Sequence, residues 1–212
     1  MFEEYIDELE KSITQKENLA SIRSKSQKFV KEHSLEECWN FSMQAWKSSY
    51  FQVQELAVFI CGYIAYSYND ALEFLETEVV YHADWRVQEV LAMAFDSYCK
   101  DIGYQQALPT IQKWLNSPIA NQRRAVTEGL RVWTSRKYFK ENPQVAINIL
   151  SKLKDDDSEY VRKSVGNALR DISKKFPDLV VGELASWDIS DKRISQVYKL
   201  AYRYVKEKYT DR

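Results

Sequence analysis

A helix-sized pattern returns along this chain at near-regular intervals, and the interval is the one that marks supersecondary units stacked in a row. The stretch from Tyr50 to Tyr66 and the stretch from Asp84 to Tyr98 both carry Val-Gln-Glu, at Val53 to Glu55 and at Val87 to Glu89. The same step taken again lands on Asn121 in IANQRRAVTEGLRVW, a slightly longer one on Val161 in EYVRKSVGNALRDIS, and a slightly shorter one on Ile194 in RISQVYKLAYRYV. Five similar helices predict stacked helical hairpins. The expected fold is all-α, a right-handed α-α superhelix of the HEAT-like repeat solenoid type with about five or six hairpins. Residues 1–212 are expected to form one elongated domain.

With 5 Gly and 4 Pro in 212 residues, turn-formers are too scarce for a many-stranded sheet. The acidic, amphipathic start MFEEYIDELEKS resembles neither a signal peptide nor a transit peptide, and no apolar run reaches the length of a membrane span. These features predict a soluble, cytoplasmic monomer with no membrane partner. Cys38, Cys61 and Cys99 are odd in number and set among apolar helical neighbours, which predicts buried, reduced thiols. Ser49 with Gln52 has capping-box spacing ahead of an apolar run, and Ser117-Pro118 and Asn142-Pro143 read as N-caps followed by first-turn prolines. Asp155 to Asp157 read as a solvated turn feeding the positive end of the next helix.

The net charge of −1 conceals a division, because residues 1–110 carry −9 and residues 111–212 carry +8. Such asymmetry is either the ordinary solvated surface of helices or the footprint of a polyanionic partner. Arg123, Arg124, Arg131, Arg162, Lys163, Arg170, Lys174 and Lys175 fall on the second helices of successive hairpins, which line the concave side of a right-handed solenoid. A basic concave groove suits a phosphate backbone, each neutralised phosphate releasing condensed counterions. A polyanion with a phosphate backbone is the partner such a groove predicts. The alternative is a HEAT-repeat scaffold for a protein, and an RNA-binding adaptor is a third possibility.

From about Trp46 to Pro177 the residues resemble the DNA alkylation repair proteins of the AlkD type, HEAT-like repeat DNA glycosylases. QAWKSSYFQVQELAVFI, with Trp46 and the Val53 to Ala57 run, is similar to that family's Trp and small-residue helix. The family's catalytic helix opens with Trp and places Asp four residues later; the matching positions here are Trp85 and Glu89. Gln122 and Arg123 resemble the family's groove Gln-Arg pair, and Val165 to Val180 its last well-marked helix. There the active relatives carry a second Trp, where this chain has Asn167. The lead-in through LEKSITQKENLASIRSKSQKF is short beside the additional N-terminal helix of the catalytic relatives. The resemblance implies a fold that binds duplex DNA, alkylated or not, with Trp85 and Glu89 as catalytic candidates and Arg123 and Asn167 at DNA-contacting positions; Arg124, Arg162, Arg170 and Lys174, on the basic second helices, are the further expected DNA contacts.

An N3- or N7-alkylated purine is a cation and leaves without a general acid, so the protein's task is to stabilise the developing oxocarbenium ion and place a water. Trp85 and Glu89, four apart on a helix, share a face and offer a ring beside a carboxylate. Glu carries its carboxylate roughly 1 Å or more beyond Asp, and misplacement of that order costs about 100-fold in rate. Asn167 removes one wall of the cleft. Weak or absent excision is therefore expected. Against a catalytic role, Glu55 at the matching repeat position suggests that the repeat supplies a solvated Glu there by default.

His33 and His82 stand alone, with no second ligand at metal-binding spacing, and no Gly-rich phosphate loop exists. Neither metal nor cofactor is expected. Trp39, Trp46, Trp114 and Trp187 read as core, while Trp133, close to Arg131 and Arg136, is either core or groove.

Overall fold

The computed structural model describes residues 2–12 and 18–210, with side chains as far as 206. Residues 13–17 of the lead-in therefore lie outside the described residues. Among the described residues there are thirteen α-helices, two 3-10 turns and no strand, so the all-α helical-repeat class expected from the periodicity is what the structure shows. No helix is long and apolar enough to cross a membrane among them.

Contacts group the chain into two compact units, residues 1–103 and 104–212. The first holds α1 (Glu3–Ser12), α2 (Leu19–Glu32), α3 (Leu35–Ala45), α4 (Phe51–Ile64), α5 (Asn69–Thr77) and α6 (Trp85–Ile102). Its centre is α4, whose residues from Leu56 to Gly62 are all buried because α2, α3, α5 and α6 pack around it. A helix enclosed on every side has no use for a polar face. Gly62 exists for the α4–α6 approach: a Cβ there would lie 2.5 Å from Cα and Cβ of Ala94. Cys38, Cys61 and Cys99 are buried thiols that form no disulfide, and burial pushes the Cys61 thiol up to about 12.

The second unit holds α7 (Leu108–Leu115), α8 (Ala120–Gly129), α9 (Lys137–Glu141), α10 (Pro143–Ser151), α11 (Glu159–Ser173), α12 (Pro177–Leu184) and α13 (Lys192–Thr210). Its second helices α8, α11 and α13 pack side by side, with α11 in the middle. Val161, Val165, Leu169 and Ile172 form the buried stripe of α11, and Ile194, Val197, Ala201 and Val205 that of α13, the spacing an amphipathic helix requires. Trp133 is fully buried against Phe139, with ring centroids 4.9 Å apart, so it belongs to the core and not to a groove.

Several helix starts differ from expectation. α4 begins at Phe51, and neither Ser49 nor Tyr50 caps it; the Ser48 hydroxyl accepts the Tyr50 N–H instead. The capping box lies at Ser34 and Glu37, ahead of α3. Ser117 and Pro118 stay in the loop ahead of α8, Ser117 accepting from the Ile119 N–H. Pro143 does open α10, yet Asn142 turns its amide back to the Tyr138 carbonyl and makes no cap bond.

Candidate functional site

Loop closure explains the repeated polar residue of each second helix. Gln54 Nε2 donates to the Ser48 carbonyl at 3.0 Å, Gln88 Nε2 to His82 at 2.9 Å, Arg123 Nη1 to Ser117 at 2.8 Å and Arg162 Nη1 to Asp156 at 2.6 Å. All four reach six residues upstream, to turn carbonyls that would otherwise lack a donor. The structural counterpart of Gln88 is thus Arg123. Repeating the fixed step from Val53 to Val87 selects Gln122 instead, because α6 starts 34 residues after α4, at Trp85 after Phe51, whereas α8 starts 35 residues after α6, at Ala120.

In the first unit the site candidates stand at the start of α6. Asp84 is the N-cap, accepting the Arg86 N–H at 2.9 Å, and its carboxylate also takes Arg86 Nε at 2.9 Å and Nη2 at 2.6 Å. The hydrogen bonds from the Arg86 side chain hold the Asp84 carboxyl below its usual range. The guanidinium lies 3.3 Å above the centre of the Phe51 ring, so the entry of α6 is fastened to the entry of α4 by a cation-π contact. Between these two fixed residues Trp85 turns its indole outward and is 67 % exposed. Glu89 follows one turn later and is half-buried.

Glu55 is not the solvated residue its repeat position suggested. It is 4 % exposed on α4, and burial raises its carboxyl to about 7 although Arg86 pulls the other way. Glu55 and Glu89 share a repeat register but not an environment, since Glu55 is buried within electrostatic reach of Asp84 and Arg86 of the next hairpin whereas Glu89 is half-buried.

In the second unit most of the expected DNA contacts are engaged internally. Arg123 forms a bidentate pair with Asp156, Nε to Oδ2 at 2.6 Å and Nη2 to Oδ1 at 2.8 Å, with side chains 13 % and 5 % exposed. Asp156 is therefore not part of a solvated turn; it links the loop before α11 to α8. Arg162 gives Nε to Gln196 at 2.8 Å and Nη1 to the carbonyls of Asp156 and Asp157. The buried carboxylate of Asp171 gathers Lys174 at 2.8 Å, Arg170 at 3.6 Å and Arg131 at 3.7 Å. Arg124 is half-buried on α8 and Asn167 half-buried on α11.

Asn167 lines a shallow pocket with Lys163, Lys192, Gln196, Lys199 and Leu200. Lys192 and Lys199 were not singled out from the sequence, although their i, i+7 spacing around Gln196 on α13 is legible there once the helix is recognised. No group of three or more His, Cys, Asp or Glu able to hold a metal occurs among the described residues.

Known structures share this fold. The crystal structure of AlkD2 from Streptococcus mutans is 48 % identical, with a TM-score of 0.94 over 96 % of this chain and 99 % of that one. The crystal structure of smu.31 from Streptococcus mutans UA159 has the same identity and a TM-score of 0.91. The alkylpurine DNA glycosylase AlkC of Pseudomonas fluorescens, solved with DNA containing an abasic site analog, is 20 % identical with a TM-score of 0.58, over 98 % of this chain and 63 % of that one, a likeness of fold alone. YhaZ of Bacillus subtilis strain 168, itself uncharacterized, is 33 % identical over 108 residues, which are 49 % of this chain and 30 % of YhaZ. The family model described as DNA alkylation repair enzyme matches residues 18–205. With nearly its whole length inside that match, the chain belongs to the DNA alkylation repair enzyme family.

Proposed function

We propose that this protein binds duplex DNA through its basic second helices and excises N3- or N7-alkylated purines feebly or not at all. The observation that carries the reading is Trp85, an indole 67 % exposed at the first residue of α6, with the carboxylate of Glu89 one turn along the same face. A large ring left outside the core, at a helix entry stiffened by the Asp84–Arg86 pair, offers a flat surface for a sugar or base at little entropic cost. The membership in a DNA repair family gives that surface its expected partner, as does AlkC's contact with DNA.

Chemistry sets the limit on activity. A cationic purine needs only a carboxylate that stabilises the developing positive charge on the sugar and aligns a water. Glu89 holds that group one methylene too far out, and Asn167 supplies an amide where a second ring would close the cleft. If each change costs about 10- to 100-fold, the product approaches spontaneous depurination of the cationic base. The test is base release from methylated duplex DNA under single-turnover conditions, against buffer and against Glu89→Gln. Release at or near the buffer rate is expected. Robust release that vanishes in Glu89→Gln would overturn the reading and make Glu89 the catalytic carboxylate.

A second reading, a protein-binding scaffold, draws on the internal use of charge. Arg123, Arg170 and Lys174 direct their charged groups at Asp156 and Asp171, which leaves less positive charge for phosphate than the residue count implies. Binding that weakens steeply with salt favours DNA, and binding indifferent to salt favours the scaffold.

A further inference from the structure

In residues 104–212 several basic clusters come with a carboxylate: Arg123 with Asp156, Arg131, Arg170 and Lys174 with Asp171, and Arg193 with Asp157 at 2.9 Å. The pocket between α11 and α13 departs from that pattern. Lys163 and Asn167 stand one turn apart on α11, and Lys192, Gln196 and Lys199 follow one another at i, i+4 and i+7 on α13, all lining one shallow pocket of about 460 Å³. Glu159 neutralises Lys163 at 2.6 Å and lies 3.4 Å from the Gln196 amide nitrogen. Lys192 and Lys199 have no ion pair among the described residues, and the Asn167 amide has no hydrogen-bond partner among them.

The walls of this pocket are fixed. Gly166 lets α11 approach α13 so closely that a Cβ there would lie 2.6 Å from Cβ of Leu200, and Arg162 Nε holds the Gln196 carbonyl oxygen at 2.8 Å. The backbone at the start of α13 is already occupied, since Asp191 accepts the N–H groups of Arg193 and Ile194. Recognition here therefore belongs to side chains. Lys192 and Lys199, exposed and without an ion pair among the described residues, keep their charge for an anion from outside.

We propose that the pocket walled by Lys163, Asn167, Lys192 and Lys199 is a phosphodiester seat, taking backbone phosphates of duplex DNA. Seven residues on a helix span about 10 Å, so Lys192 and Lys199 neutralise different phosphates of one strand, and the Asn167 amide donates to a phosphate oxygen beside them. A lysine meets phosphate as a point charge and reads no sequence. The inference rests on the DNA-binding reading above and deepens it, moving the backbone contacts from the internally paired Arg123 and Lys174 to α13.

The test measures binding of a fluorescent duplex by anisotropy across a salt series for the full chain, for Lys192→Ala/Lys199→Ala, and for Lys137→Ala/Lys140→Ala as a control on exposed lysines of α9. Helical content by circular dichroism checks that each variant folds. The expected result is a loss of affinity of about tenfold or more at about 0.1 M salt and a salt slope reduced by roughly 2 in the α13 variant alone. An unchanged slope in that variant, with the parent still binding the duplex, overturns the seat and leaves the DNA-binding reading standing. Tripolyphosphate, titrated in parallel by calorimetry, distinguishes a free oligophosphate as the source. If the parent ignores the duplex but binds tripolyphosphate in a manner lost with Lys192 and Lys199, the phosphate seat stands and its assignment to DNA fails. Binding of neither overturns both.

Discussion

Glu55 shows how much one buried side chain reports. Its carboxyl titrates at about 7 in the fold against an ordinary 4.5, so between those values the folded protein keeps a proton that the unfolded chain has lost. Stability must fall as pH rises through that window and level off above it. Glu55→Gln keeps the shape and removes the titration. Thermal melts should find the variant gaining on the parent by about 1 to 3 kcal/mol at pH 8, with the gap closing towards pH 5; a gap independent of pH would mean that Glu55 is charged in the fold throughout. Asp156 makes the opposite case, since its carboxylate is needed by Arg123. Asp156→Ala strands a nearly buried guanidinium and should cost about 3 to 5 kcal/mol in urea denaturation. Replacing Arg123 and Asp156 together by Met and Leu should recover part of that loss, and no recovery would point to the Ser158 N–H bond as the main contribution of Asp156.

At the scale of elements, the second helices are set by how near their backbones come. Ala is the better helix former by about 1 kcal/mol, so Gly62→Ala on α4 would stabilise an isolated helix. Here the new methyl would sit 2.5 Å from the Ala94 backbone on α6, and overpacking of that kind costs about 1 to 3 kcal/mol, more where backbone must move. The net effect expected is a lower melting temperature. Gly182 on α12 meets nothing within 4 Å of an added Cβ, so Gly182→Ala should raise stability by about 0.5 to 1 kcal/mol. Equal effects at the two sites would show that intrinsic propensity, and not the α4–α6 approach, governs Gly62.

At the scale of the whole molecule, contacts group the chain into two compact units, residues 1–103 and 104–212, and neighbouring units of a repeat array can still unfold together. We propose that residues 1–212 nonetheless fold as one domain. Trp39, Trp46 and Trp85 report on the first unit and Trp114, Trp133 and Trp187 on the second, while far-ultraviolet dichroism reports on all helices at once. Urea unfolding followed by both signals should give coincident single transitions. Two separated transitions would divide the chain into two domains.

Periodicity and composition carried the all-α class and the hairpin repeat, because apolar spacing and turn-former scarcity act within one helix and its loop, and the resemblance of the stretch from Trp46 to Pro177 carried the family. What lay beyond the sequence was the fate of each charge. Arg123 and Asp156 are 33 residues apart, Glu55 feels the charges of Asp84 and Arg86 of the following hairpin, and Asp171 draws in Arg131 from just beyond α8 as well as its own neighbours Arg170 and Lys174. Every Lys and Arg counts alike in a sequence, whereas a folded chain neutralises those that find a carboxylate across a hairpin and leaves the rest to solvent or a ligand. That sorting depends on distances of a few ångströms between elements far apart in the chain, so only the tertiary structure could separate the arginines that lock the repeats from Lys192 and Lys199, which have no ion pair among the described residues.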